Sequence, residues 1–386
     1  AIPLVAGLLS LCTLATLVLA SRPGAGMTPF LVAAAAQSAF FAAVRGRVTT
    51  ALQGLDRAGR ELGLVRGILL HLERERFTSS LLAELTARLA QHGVPASRRI
   101  RGLELRLELN DSGRNLLFLP IALLLLWPVQ LACAIDRWRA RHGREVEAWI
   151  AAIAEIEALA SLAGHAWEHP EDPFPEIVEQ GPLLDAEGIG HPLLLEARCV
   201  RNDLRLGPDQ RALIVSGSNM SGKSTLLRAT GLNVVLALAG ATVRARRLRV
   251  SPLAVGASIR VGDSLLDGRS RFQAEVLRLR QITDLAQDRP VLFLLDEILH
   301  GTNSHDRRIG SEAVVRRLLE LGAVGLVTTH DLALAEIAAR SAFPIVNVHF
   351  EDHVEDGAMR FDYSMRPGVV TRSNALALMR AAGLDV

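Results

Sequence analysis

Gly217-Ser-Asn-Met-Ser-Gly222-Lys223-Ser224-Thr225 is the stretch that decides the fold. An apolar run, Ala212-Leu-Ile-Val215, precedes it, and a helical pattern, Leu226-Leu-Arg-Ala-Thr230, follows. The spacing G-x-x-x-x-G-K-S between a buried strand and a helix is the context that a phosphate-binding loop requires. Glycines permit the tight turn, so successive N–H groups and the helix N-terminus point at phosphate oxygens. On this reading Gly217, Ser218, Asn219, Met220, Ser221, Gly222, Lys223, Ser224 and Thr225 form a cradle for a nucleoside triphosphate. Lys223 reaches the β- and γ-phosphates, and Ser224 holds Mg²⁺. Lys223 is also the only lysine of a chain with 43 Lys and Arg residues. An extended ammonium fits between phosphate oxygens, where a planar guanidinium does not.

Working outward, Val291-Leu-Phe-Leu-Leu-Asp-Glu297 reads as a buried strand closing on two carboxylates. Asp296 would hold the metal through water, and Glu297 would orient or deprotonate the attacking water. The plainer reading, a helix cap or solvent-facing pair, is disfavoured by the apolar run before it. A second such strand, Ala323-Val-Gly-Leu-Val-Thr-Thr329, ends at His330, placed to sense a γ-phosphate. Ligands of α/β sheets sit at these C-terminal strand edges. A strand pair around Ile345–Phe350 and Met359–Met365 and a helix at Ser373–Ala381 complete an alternating α/β pattern.

The chain has 386 residues, enough for two or more domains with cores of their own. A net charge of +2 excludes a global polyelectrolyte argument for nucleic acid. Cys12, Cys133 and Cys199 are scattered, so neither a disulfide framework nor a zinc site is indicated. The chain begins without Met, and an upstream continuation is expected. Residues 1–21 and 27–44 are uncharged and apolar, separated by Ser21-Arg-Pro-Gly-Ala-Gly26. Each run approaches the roughly 20 residues that cross a bilayer, and Arg45 and Arg47 suit a cytoplasmic flank. Residues 1–44 therefore read as a transmembrane hairpin. A signal peptide competes for the first run but leaves the second unexplained, and a buried soluble helix pair is the other alternative.

Residues 45–167 read as an all-helical region. Leu81, Leu82, Leu85 and Leu89 follow helical spacing, and Ile150, Ile153, Ile156 and Leu159 mark a helix over Glu145–Ala166. The arginine-rich runs there fit a solvated helix face better than a DNA-contacting surface. Residues 115–135, with Pro120 and Pro128 inside, are expected as a single buried or membrane-surface helix. Glu168-His-Pro-Glu-Asp-Pro-Phe-Pro175 opens a linker over 168–185, and 186–386 is the α/β domain.

These elements in this order resemble the ATPase domain of the MutS family of DNA mismatch-repair proteins, within the ABC-type ATPases. Asn219-Met-Ser-Gly-Lys-Ser-Thr225 resembles the family's N-M-x-G-K-S-T loop. Gly268-Arg-Ser-Arg-Phe-Gln-Ala-Glu275 resembles its signature segment, Leu295-Asp-Glu-Ile-Leu-His-Gly-Thr-Asn-Ser304 its L-D-E-I-x-x-G-T motif, and Thr329-His330 its T-H motif. His191-Pro192, Asn202-Asp203 and Pro367-Gly368 fall where the family has them. The resemblance is strong over 186–386, while 45–165 resembles the family's core and lever helices in outline. It implies an α/β P-loop ATPase domain that uses ATP and Mg²⁺ and dimerises head-to-tail around two nucleotides. Lys223, Ser224, Asp296, Glu297 and His330 of one subunit would then face Ser270 of the other.

Departures accompany the resemblance. Nothing here resembles the family's mismatch-reading domain, and the chain ends at Val386 before the usual dimerisation helices. Where mismatch-repair members stack an aromatic on adenine, this chain has Cys199. The likeness is strongest to the bacterial MutS-related proteins with N-terminal membrane helices. Two functions follow. One is an ATP-driven dimer switch on mismatched or branched DNA in repair or recombination. The other is a membrane-tethered mechanical ATPase with a protein or envelope partner. The corresponding locations are the bacterial inner membrane with a cytoplasmic ATPase domain, or the cytoplasm.

Overall fold

Pro120 and Pro128 dictate the first departure from the expected pattern. A proline is tolerated in the first turn of a helix but not in its interior. Two of them therefore start two helices. In this computed structural model the run 115–135 is not one helix: α6 (Leu119–Leu124) ends at Leu125, Leu126 adopts a left-handed φ of 49°, and α7 (Trp127–Glu168) begins. No proline follows within α7, so it continues for 42 residues and absorbs the helix expected over 145–166.

The structure describes residues 2–23, 26–53, 55–112, 118–218, 220–259, 271–330, 335–355 and 358–370. The chain divides into two compact units, Ala1–Ala160 and Ser161–Val386. The first is helical. Before α6 come α1 (Ile2–Ala20), α2 (Thr28–Leu52), α3 (Leu55–Leu72), α4 (Ser80–Ala87) and α5 (Ala96–Ser112). The apolar spacing at 81–89 yields α4 and then a 3₁₀ turn, Arg88–Gly93. Leu85 and Leu89 are buried and Leu81 is exposed. One core of this unit gathers Leu69, Leu89, Ile100 and Trp149, and another gathers Ala6, Val48, Ala51, Leu126, Val129 and Ala132. The hairpin's second helix runs past Arg45 and Arg47 to Leu52.

The second unit is α/β. Its larger sheet uses β4 (Ala212–Ser216), β6 (Ala254–Ser258), β7 (Val291–Asp296), β8 (Val324–Thr329), β9 (Ile345–Glu355) and β10 (Ala358–Pro367), in the order β10-β9-β4-β8-β7-β6. All neighbours are parallel except β10, which returns antiparallel to β9. Parallel sheets need cover on both faces, and alternate residues supply it. Leu213 and Val215 of β4 join the core beneath α8 (Lys223–Leu238), with Leu292, Leu294 and Leu326. Ala212 and Ile214 join the opposite core with Phe293, Leu295 and Val327, against α9 (Arg271–Asp288) and α10 (Ser304–Glu320).

A smaller sheet, ordered β1-β5-β2-β3, comprises β1 (Glu176–Ile177), β2 (Leu184–Ile189), β3 (Asn202–Leu206) and β5 (Arg247–Val250). The segment 168–185, expected as a linker, supplies β1 to this sheet, paired with Arg249 and Val250 of β5. It also carries the buried Asp172, whose carboxylate lies 3.2 Å from the Arg244 guanidinium and 3.9 Å from that of Arg201. The helix expected at Ser373–Ala381 lies outside the described residues.

Candidate nucleotide site

The glycine loop joins β4 to α8 at the C-terminal edge of the parallel sheet. Two positions need glycine for identifiable reasons. At Gly217, φ is 143° and a Cβ would come within 2.9 Å of the Phe350 carbonyl oxygen. At Gly222, φ is 107° and a Cβ would lie 3.1 Å from the Tyr363 ring. An L side chain is strained at such φ, and here it also lacks space. Met220 turns the loop with φ at 70° and its side chain exposed. Ser221 Oγ donates to the Ser218 carbonyl at 2.8 Å, and Ser224 and Thr225 follow Lys223 in the first turn of α8. Asn219 lies outside the described residues.

Lys223 is 4% exposed. Its Nζ donates to the carbonyls of Gly217 at 2.8 Å and Ser218 at 2.7 Å, and lies 3.5 Å from Glu297 Oε1. Burial pushes the ammonium pKa down, and the facing Glu297 carboxylate offsets this only in part. Among the described residues Ser218 Oγ is buried without a hydrogen-bond partner. A buried cation and an orphaned hydroxyl on one tight loop are what an anionic ligand would satisfy.

Adjacent strand ends complete the cluster. β7 stops at Asp296, whose Oδ1 accepts a 2.6 Å hydrogen bond from Thr328 Oγ1 of β8. Thr328 Oγ1 in turn accepts from the Glu297 N–H at 3.0 Å, so one hydroxyl fixes both acidic residues. Glu297 is held at φ 47°, uncommon for a non-glycine and typical of over-determined functional sites. Its Oε1 lies 3.4 Å from His330 Nδ1 and its Oε2 3.1 Å from His300 Nε2, and the two imidazoles stack 5.0 Å apart. Burial raises the Glu297 carboxyl pKa, but Lys223 and His330 together pull it below the ordinary glutamate value.

The segment after β7 is also pinned from the side. Leu299, at φ 61°, donates its N–H to the buried Glu275 Oε1 at 2.7 Å. Glu275 is the last residue of the G-R-S-x-F-x-x-E segment, so α9 and the acidic turn are locked together. Ser270, the proposed trans-acting donor of that segment, lies outside the described residues.

Beside the loop opens a cavity of about 720 Å³, lined by His191, Cys199, Asn202, Gly222, Thr225 and Tyr363 among others. Its size and largely apolar wall fall in the range of small-molecule sites. Burial holds the His191 pKa down, so this ring presents no added charge. Tyr363 reaches the cavity through a bulge between Phe361 and Met365, where φ at Tyr363 is 55°. Asn202 clamps the bulge: its Nδ2 donates to the Tyr363 carbonyl at 3.1 Å and its Oδ1 accepts from the Met365 N–H at 2.7 Å. The residues present therefore fit a nucleotide, with the Tyr363 ring and Cys199 both on the cavity wall beside the loop.

Sequence reading singled out Lys223, Asp296, Glu297 and His330, and the fold brings all four together. It missed Tyr363, Thr328 and His300. Only the uniqueness of Tyr363, the single tyrosine of the chain, could have flagged one of them.

Residues 213–385 match the family described as MutS domain V. The chain is 35% identical over 253 residues to the DNA mismatch repair protein MutS 2 of Halobacterium salinarum. That similarity covers 64% of this chain and 28% of the relative, so the chain spans little more than a quarter of that protein. The glycine loop, the acidic strand end and the histidine follow one another in sequence and meet in space, in agreement with both matches, which support membership of the MutS family over residues 213–385.

Proposed function

We propose that the chain is an ATP-binding and ATP-hydrolysing MutS-type switch that acts as a homodimer. The observation that carries this reading is the meeting of Lys223, Glu297 and His330 within 3.5 Å steps at the mouth of the glycine loop. Loop N–H groups and Lys223 bind the phosphates, with Nζ leaving the loop carbonyls for phosphate oxygens. Ser224 and Asp296 would hold Mg²⁺, which would supply positive charge to offset that of the phosphates. Glu297, relieved of Lys223, orients the attacking water and takes its proton at Oε1, while His330 Nδ1 holds that oxygen. Ser270 of a second copy would donate to the γ-phosphate from the start of α9, as the family resemblance implies. ATP then favours the closed dimer and hydrolysis releases it, a population shift that the helical unit transmits.

The test is Glu297→Gln. It should keep ATP binding and lose turnover by about 10²–10⁴-fold, the usual worth of a positioned base. Turnover at the wild-type rate would sink the assignment.

Two readings of what the switch acts on differ in their support. The family match and the name of the relative support mismatched or branched DNA. A membrane-tethered machine with a protein or envelope partner is favoured by the first unit. α1 and α2, of 19 and 25 residues, are long and apolar enough to cross a bilayer. Their polarity is inverted relative to a water-soluble core. Leu4, Leu8, Leu11, Leu31 and Val32 are exposed, while Ser10, Thr13 and Gln37 are buried. This arrangement suits lipid outside and polar contacts inside.

A further inference from the structure

Gln37 is a buried amide on an otherwise apolar stretch of α2. Its Oε1 accepts a 2.7 Å hydrogen bond from Thr13 Oγ1 of α1. Its Nε2 donates to the Leu123 carbonyl at 2.7 Å and to the Leu124 carbonyl at 3.1 Å. Those two carbonyls belong to the last turn of α6; the Leu123 carbonyl also accepts the Leu126 N–H at 3.2 Å, and Gln37 supplies the donor that the helix end does not offer Leu124. α6 is too short to span anything, and the chain reverses at once through Leu125 and Leu126 into α7.

Depth follows from the helix rise. Gln37 lies nine residues after Thr28, about 13.5 Å, and eight before Arg45, about 12 Å, at roughly 1.5 Å per residue. In a hydrocarbon core about 30 Å thick that is close to the midplane. The outward side chains of the short helix, Leu119, Ile121 and Leu123, are 45–62% exposed, while Ala122 is buried beside the hairpin. Helix breaks are tolerated at such depth only where the freed backbone groups find protein partners. Gln37 provides that partner. At the other end the rings of Phe118 and Trp127 meet edge-on at 5.6 Å, and Trp127 Nε1 donates to the Leu109 carbonyl.

We propose that residues 118–128 form a re-entrant segment that enters the bilayer from the side of Arg45, reaches about its midplane and returns, held there by Gln37. The proposal rests on the reading of α1 and α2 as membrane helices. It gives the lipid-facing surface three elements instead of two, with both flanks of 118–128 on one side of the membrane.

The experiment uses the full chain, with Cys12, Cys133 and Cys199 changed to Ser, in vesicles of phosphatidylcholine and phosphatidylglycerol. Single nitroxide labels are placed through Leu8→Cys, Leu31→Cys, Leu123→Cys and Leu81→Cys. Collision with oxygen, which concentrates in lipid, is compared with collision with a water-soluble nickel chelate. The Leu123 label should match Leu8 and Leu31, oxygen-rich and nickel-poor, while Leu81 reads as aqueous. A Leu123 label that reads like Leu81 while Leu8 and Leu31 read as lipid overturns the re-entrant segment and leaves the hairpin standing. All four labels in water overturn both. Gln37→Leu should move the Leu123 label toward nickel access, with ATP binding as the check that the second unit is folded. No movement there overturns the role given to the amide.

Discussion

Tyr363 lines the cavity beside the glycine loop together with Cys199. Cys199 offers a nucleobase no aromatic face, and the only tyrosine, 164 positions later, lines the same cavity beside the glycine loop. Stacking of a base on an aromatic ring is worth about 1–3 kcal/mol. Tyr363→Ala should therefore weaken ATP binding about tenfold, and Tyr363→Phe should leave it near wild type, both read by titration with a fluorescent nucleotide. An equal loss for both variants would place the hydroxyl, not the ring, in contact. Glu297 makes the pH prediction. Its folded pKa lies below the ordinary value of about 4.3, so its contribution to stability is present above that pH. It is lost as pH falls through the depressed value. Glu297→Gln should accordingly flatten the acid limb of stability against pH, measured by urea unfolding from neutral pH downward. Lys223, Asp296, Glu297 and His330 were legible because the loop and strand-end patterns fix their places relative to phosphates. Tyr363 and Thr328 were not: their roles arise from a bulge and a strand pairing, which join positions far apart in the chain.

At the scale of elements, the parallel strands were readable as apolar runs ending in polar residues, and the hairpin as two apolar runs around a turn. The split into α6 and α7 lay in the sequence too, since Pro120 and Pro128 each demand a helix start. What concealed it was the continuous apolar composition around them. The segment 168–185 was the opposite case. Its prolines and acids look like a solvated linker, yet Asp172 is fully buried against Arg244, itself only 4% exposed, with Arg201 near. Burial pushes the Asp172 carboxyl pKa up, against the pull of Arg244 and then Arg201. Arg244 also reaches Glu196 at 2.7 Å, next to the wall of the cavity beside the glycine loop. Removing one partner of a buried pair strands the other charge, at a cost of about 3–5 kcal/mol. Asp172→Ala should therefore destabilise the second unit by that order, read from the midpoint of chemical denaturation. A shift within error would mean that water reaches Arg244 and that the segment is only loosely docked.

At the scale of the whole molecule, charge decides between the two partners more sharply than motif does. DNA affinity comes largely from cations that replace counterions on phosphates, and its logarithm falls with log salt by about 0.9 per phosphate contacted. The arginine run 244–249 that invites a DNA reading is engaged with carboxylates, as are several arginines of the helical unit. In the helical unit Arg99 pairs with Glu145, Arg66 with Glu104, and Arg101 with both Glu104 and Glu108. In the second unit Arg244 pairs with Asp172 and Glu196, Arg246 with Asp203, Arg247 with Glu187 and Arg249 with Glu176. A duplex phosphate would have to displace a carboxylate at each of these positions, so little counterion release is gained per contact. For the full chain with ATP and Mg²⁺, a slope of about two or less is expected, whether the duplex is matched, mismatched or branched. From 50 to 200 mM salt that is a loss of affinity of about 16-fold at most, against roughly 10³–10⁵ for a protein making six to ten phosphate contacts. A steep slope with preference for a distorted duplex would show that the carboxylates give way on binding, and would return the switch to DNA. A shallow slope, in protein whose ATP turnover depends on lipid, would assign its work to the membrane.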